Sequence, residues 1–442
     1  MDSRLVLNVR LFVGFRLLFG IRYYYPVLAV FFIDSGITTA QYALLNTAWA
    51  ATIVLLELPS GALADHLGRR NLVVFAAALM VLEMAALVFA PTIGPWLLIF
   101  FLANRILSGA AEAAASGADE ALAYDSLVAT GREDRWPRVM EKLGHWQSLF
   151  FFCAMLLGAA VYDAATLNHA LAWLGIDSHF TSEQTRRLPV ALTLIHALGA
   201  LALALCMKEP PGAPKAAPSL AALLRGIWNV GRWIWRTPAV RFVLLIAVLI
   251  DASVRMLLTF NSTYYRLLQV PDGWFGLLGA GFALLGIPAA TFGRRLAESG
   301  RPWKSFALLA TITLGSLAGI ALVIPGWGLI FVGAAGMMFG ASGQLLSFHL
   351  NQFASPEQRA TALSFRGLTM NLAYGAAGML FYIGSRQLQS EGRLPEALVL
   401  AKMLPWLPII FGVGAITLFI LHRKNPHEVS GDSSPEHPPA RD

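Results

Sequence analysis

Twelve stretches of about twenty mostly apolar residues, centred near residues 22, 50, 80, 108, 155, 198, 250, 282, 315, 338, 375 and 411, limit what this chain can fold into. A hydrocarbon core about 30 Å thick is crossed by roughly 20 residues of helix, and inside it every backbone N–H and C=O must be bonded within the protein. The stretches lack the alternation of barrel strands, so helices are expected. Composition agrees, since only 13% of residues are charged against roughly 25% in soluble domains. The expected fold class is an all-α polytopic membrane protein with twelve transmembrane helices in two six-helix bundles.

The first stretch, "LLFGIRYYYPVLAVFFIDSG", follows Arg4, Arg10 and Arg16 and so looks briefly like a secretion signal. It is too long for a signal core and has no small-residue cleavage site after it, so it reads as a retained span. Cys153 and Cys206 fall inside spans and offer neither a disulfide framework nor a metal-ligand spacing.

The net charge of +7 is explained by where the basic residues lie. With the N-terminus in the cytoplasm, 22 of the 33 Lys and Arg residues fall in cytoplasmic segments and 6 outside, leaving 5 within spans. That bias is the positive-inside pattern, so the basic balance reports topology and implies no nucleic-acid partner. Both termini are expected in the cytoplasm and the localisation is expected to be a cell membrane, of the bacterial inner-membrane kind.

Residues 208–237 form the longest polar interruption and separate six spans from six. Four prolines in its first eleven residues forbid a helix there. Beyond them Leu220, Leu223, Leu224, Ile227 and Ile234 share one helical face, and Arg225, Arg232 and Arg236 another, so an amphipathic helix on the cytoplasmic lipid surface is expected. The domains expected are 1–207 and 238–424, each a six-helix bundle, with 425–442 a disordered tail.

Between the second and third spans, Gly61, Asp65, Gly68, Arg69 and Arg70 stand in the order G-x-x-x-D-x-x-G-R-R. Glycines there permit a tight turn and close helix approach, and Asp65 can sit beside a helix N-terminus or an arginine as a conformational latch. This turn resembles the signature of the major facilitator superfamily. Arg105 and Gly109 in span four, and "SPEQRATALSF" at 355–365, are similar to further features of that family. The resemblance implies two bundles rocking about a central solute site, and a coupling role for Arg105 as in proton-coupled members. Two departures stand out. The matching turn of the second half keeps Gly293, Arg294 and Arg295 without an aspartate, and span five offers Gly158 without the proline and paired glycines of drug–proton exporters.

Ionisable groups at mid-membrane are costly, about 2.5–3.5 kcal/mol each on insertion scales, and so face a cavity or a partner. In "LIDASVRMLL", Asp251 lies about 18 Å along span seven and Arg255 follows one turn later on the same face, where the two can pair. In span four Arg105, Glu112 and Asp119 recur every seven residues and are expected on one stripe. Glu112, Asp251 and Arg105 are the proton-coupling candidates; Arg22, Tyr24, Asn46, Arg255 and Asn371 are the candidates for the substrate cavity. Glu57, beside Pro59, is assigned to packing, and Glu83 is assigned no role.

No H-E-x-x-H, G-x-S-x-G, G-x-x-x-x-G-K-[ST] or Cys/His cluster occurs, so no enzymatic activity, metal or other cofactor is expected. The expected function is secondary active transport of a small organic solute by a monomer in the lipid bilayer, with a proton as coupling ion and export favoured. The alternatives are a proton-driven importer of a nutrient or metal chelate, and a receptor of the same fold that does not transport.

Overall fold

The computed structural model describes residues 3–92, 94–210, 220–355, 358–390 and 394–423, except for the side chains of 3, 4, 58–67, 220, 223 and 360. The expected tail and the proline-rich start of the linker lie outside the described residues. Among the described residues there is no strand. Ten helices among the described residues are long and apolar enough to cross a bilayer. The other two expected spans are present as helices of a different kind. Span one is Ser3–Gly20 and Leu28–Asp34 joined by a short 3-10 turn, and span eleven is the 32-residue helix Arg359–Ser390.

Local chemistry sets the helix ends. Thr38 caps span two (Thr39–Leu67) in a reciprocal box with Gln41. Proline sits in the first turn of spans five (Trp136–Tyr162), six (Leu188–Cys206), seven (Pro238–Thr259) and nine (Pro302–Ala321), where its missing N–H costs nothing. Pro26 interrupts span one, and the freed backbone groups find side chains. Arg22 donates to the carbonyls of Phe19 (2.5 Å) and Ile21 (3.4 Å), while Tyr23 N donates to Thr193 Oγ1 (3.1 Å).

Span four is Trp96–Ala115 followed by Ala118–Val128, parted at Gly117, whose φ is +77°. The single stripe expected from Arg105 through Glu112 to Asp119 is therefore cut. Glycine tolerates that φ where other residues are strained, and the seven-residue spacing could not reveal the break.

Two seams join the halves, span two against span eleven and span five against span eight (Phe275–Leu284 and Gly286–Glu298). The first runs along much of the helices: Thr47 Oγ1 donates to Gly375 O (3.3 Å), Trp49 meets Tyr374 edge-on at 6.2 Å, and Gly367 lies near Glu57. The second is tight at one end only. A Cβ on Gly276 would overlap the Met155 carbonyl oxygen. Beyond that contact Gln147, Ser148 and Phe151 part from Ala283 and Ile287, leaving a crevice of about 420 Å³ backed by Arg16.

The crevice opens on the face that carries the linker helix (Leu220–Arg236), here the linker face. The opposite, far face is tied across the halves. Arg266 grips Asp34 with two contacts of 2.6 Å, Thr39 N donates to Glu396 Oε2 (2.6 Å), and the Tyr42 hydroxyl donates to Thr259 O (3.1 Å). The protein is shut at the far face and parted at the linker face.

Candidate functional site

The residues between the halves come from spans one, two, four, seven and eleven. Unwinding of span one at Ile21–Tyr24 brings its backbone against span five, where a Cβ on Gly158 would overlap Tyr23 O. Gly158, noted in the sequence only for lacking a proline partner, is what allows this approach. Tyr25 then stands deep among charged groups, within the fields of Arg22, Glu83 and Glu112, yet 36% of its surface is accessible. Glu112 is likewise half-buried, within the fields of Arg22, Glu83 and Arg105.

Span seven carries the opposite wall. Asp251 Oδ1 accepts from Arg255 Nη2 at 2.7 Å, as their four-residue spacing suggests, and Arg255 Nη1 donates to Asn371 Oδ1 at 2.9 Å. The Arg255 guanidinium also lies over the Tyr374 ring, 5.3 Å from its centre, and the Tyr374 hydroxyl pairs with Thr259 Oγ1 at 2.7 Å. Arg255 and Asn371, expected near the cavity, are thus brought together with Asp251.

Other candidates take different places. Arg22 is buried, 3.3 Å from Glu83 Oε1, and is spent on that carboxylate and on backbone carbonyls instead of lining open space. Tyr24 is buried edge-on to Tyr25, which takes the exposed position. Asn46 is buried and donates to Tyr42 O of its own helix at 2.8 Å. Asp119 pairs with Arg16 of span one at 3.1 Å, as does Glu120 at 2.9 Å. Glu83, given no role by the sequence, is fully buried in span three (Arg69–Val88), and Asn104 of span four donates to its carbonyl at 2.9 Å. The signal was there in retrospect: Arg22 needed an acid at its own depth, and span three holds one.

Arg105 differs from its neighbours. It is buried, its Nε donates to Asn104 Oδ1 at 3.0 Å, and its guanidinium lies 5.3 Å from the centre of the Phe32 ring. Among the described residues no carboxylate is within ion-pair distance of it. Its charge acts on Tyr24, Tyr42, Glu83 and Tyr25 of its own half, and reaches Tyr374 of the other.

The side chains of Gly61 and Asp65 lie outside the described residues. The rest of the turn is held by a group the sequence did not single out. Gly68, at φ +86°, delivers the N-terminus of span three to Glu209, just past span six, whose carboxylate accepts from Arg69 N (3.0 Å) and Arg70 N (2.7 Å). A carboxylate on exposed N–H groups at a helix start is favourable. Arg69 pairs with Asp125, and Arg70 donates to the carbonyls of Met207 (2.6 Å) and Leu205 (2.9 Å) that end span six. These contacts knit spans three, four and six of one half.

Two bundles shut at one face and parted at the other, with arginine, carboxylate and tyrosine side chains held at mid-depth, define a polytopic carrier of small solutes. The Major Facilitator Superfamily profile matches residues 11–379, and the chain belongs to that family. It is a transporter and not an enzyme. None of the curated proteins matches it in sequence.

Solved structures share the fold at low identity. The nucleoside transporter NupG superposes with a TM-score of 0.66 at 13% identity, covering 95% of this chain and 99% of its own. A bacterial homolog of the human lysosomal transporter Spinster, inward-facing and unoccupied, gives 0.66 at 17%, covering 96% and 98%. The xylose transporter XylE from E. coli, partially occluded and inward open, gives 0.56 at 14%, covering 95% and 99%.

Proposed function

We propose that this chain carries a small organic anion together with protons by alternating access, with Arg105 receiving the anion and Glu112 the proton. The observation that carries this reading is the state of the arginines. Arg16, Arg22 and Arg255 are spent on carboxylates, whereas buried Arg105 has none among the described residues. Glu83 and Glu112 act on Arg105 only from beyond ion-pair distance, and a solute carboxylate or phosphate would supply a direct partner with geometry the guanidinium fork suits.

Glu112 sits seven residues further along the same helix, about 10 Å away, with no side-chain partner among the described residues. A solute anion at one position and a proton at the other each relieve charge on one stripe, so each favours the other through reciprocal linkage. Asp251, already bonded to Arg255, is the second proton candidate. Asn371 and Tyr25 supply hydrogen-bonding and aromatic surface on either side.

The export expected from the sequence finds no support among the comparisons, and the charge chemistry favours uptake. A negative-inside potential of 100 mV already favours anion exit by about 2.3 kcal/mol per charge, whereas entry against it gains from co-transported protons. One of the similar structures is a D-xylose-proton symporter. In this reading the linker face is cytoplasmic, from the basic bias of its segments, and the conformation described is the one open inward. Each chain carries its own site, so a monomer suffices.

The test begins with thermal stabilisation of purified protein by monocarboxylates, dicarboxylates, phosphate esters, nucleosides and sugars. Anions are expected to stabilise the native chain and not Arg105→Gln, and the stabilising anion is expected to enter proteoliposomes under an inward proton gradient. Stabilisation by a neutral sugar that survives Arg105→Gln would reject the anion site. Binding without flux would point to the non-transporting receptor.

A further inference from the structure

The linker helix has two faces that do different things. Val230 and Ile234 are buried against the protein, and Gly231 lets the helix approach span eleven so closely that a Cβ there would lie 2.9 Å from the Phe365 ring. The helix also reaches span two of the other half and leads directly into span seven. It therefore sits at the linker-face end of the seam about which the halves must move.

Its other face points away from the protein. Trp228 and Trp235 are 66% and 59% exposed, and Arg225, Arg232 and Arg236 are exposed beside them. Of the apolar face expected to lie on lipid, Leu224 is exposed while Ile234 packs against the protein. The arginines are poised over the indoles: Arg232 lies 5.9 Å from the Trp228 ring centre, and Arg241 of span seven 6.0 Å from that of Trp235. No Asp or Glu occurs between Glu209 and Asp251, so nothing in the chain's own neighbourhood in sequence neutralises this face. Indoles prefer the headgroup layer, and a cluster of arginines beside them selects negative charge.

We infer that the exposed face of the linker helix binds anionic phospholipid headgroups of the leaflet on the linker face, and that this binding holds the carrier in the conformation parted on that side. The helix is seated on spans two, seven and eleven in the parted state. On this inference the helix shifts on its seat when the linker face closes, so that a lipid bound to it as seated favours the parted state by its difference in affinity for the two. Net lipid charge becomes a control on the transport cycle, separate from solute and proton. Zwitterionic lipids of the same bilayer engage the indoles too, but the ammonium group in each headgroup offsets the phosphate charge that the three arginines would meet.

The test uses the full chain in lipid nanodiscs, with Cys153→Ser and Cys206→Ser, and spin labels at Ser148→Cys in span five and Leu284→Cys in span eight, two exposed positions that line the crevice. Replacing part of the phosphatidylcholine with phosphatidylglycerol is expected to raise the ratio of long to short label distances by on the order of fivefold or more. The triple variant Arg225→Gln, Arg232→Gln, Arg236→Gln is expected to lose that rise while keeping the distribution seen in pure phosphatidylcholine, and high salt is expected to erase the rise in the unmodified chain. Distances indifferent to phosphatidylglycerol, or a rise that the triple variant retains, would overturn the inference. So would a rise that high salt leaves intact.

Discussion

Asp34, at the end of span one, and Arg266, beyond span seven, meet in a two-pronged ion pair at 2.6 Å on each side, with Asp272 joining the same guanidinium and Tyr162 donating to Asp34 at 2.7 Å. Spans one and seven open the two halves, so this pair fastens one half to the other at the far face. Its groups are a quarter to a third exposed, and solvent screening lowers what it contributes. Asp34→Asn or Arg266→Gln is expected to cost the closed far face on the order of 1 kcal/mol, roughly a fivefold population shift. Spin-label distances across the far-face ends of spans one and seven report it; unchanged distances in both variants would mean that packing alone closes this face.

The Arg22–Glu83 pair is of the opposite kind, with side chains only 3% and 0% exposed. Losing one partner leaves the other charged and uncompensated, so Glu83→Ala or Arg22→Met is expected to destabilise by about 3–5 kcal/mol. The double replacement Arg22→Met with Glu83→Met is expected to recover much of that loss. Thermal denaturation of the three variants decides, and a double variant no better than the singles would show that the pair does more than neutralise itself.

Gly158 has no room for a side chain, because Tyr23 O occupies the position of a Cβ. Gly158→Ala is expected to push span five from the unwound segment of span one and to cost about 1–3 kcal/mol as an overpacked contact. Gly144, in the same span with open space around it, serves as control, and Gly144→Ala is expected to leave the melting temperature nearly unchanged. Equal melting temperatures for the two variants would contradict the close approach.

Glu112→Gln separates binding from coupling. It is expected to abolish accumulation driven by a proton gradient while leaving solute exchange at equal pH on both sides. Asp251→Asn frees Arg255 from its partner at 2.7 Å and is expected to impair both measurements. Proton-driven accumulation that persists in Glu112→Gln would remove Glu112 from the coupling step.

Much of this protein was legible before any coordinate. Apolar length alone gave helices and membrane, because a bilayer admits few other ways to bond a backbone. The four-residue spacing of Asp251 and Arg255 gave their pairing, since such positions are neighbours on any helix. The turn containing Gly68, Arg69 and Arg70 gave the family. These are features in which the determining physics is local, or is imposed by the solvent.

What tertiary structure decided is which charges are spent and which remain. Arg22 and Arg105 are both arginines within apolar spans, yet one is paired with Glu83 and the other has no carboxylate at ion-pair distance among the described residues. Glu209 is an unremarked acid beside a proline until the fold sets it on the N-terminus of span three, and Asp34 and Arg266 are 232 residues apart. Periodicity places a residue on a face of its own helix but says nothing of what the facing helix presents at that depth. For an ion in a membrane that second fact sets the energy, because the strength of its pairing depends on a partner brought there only by packing.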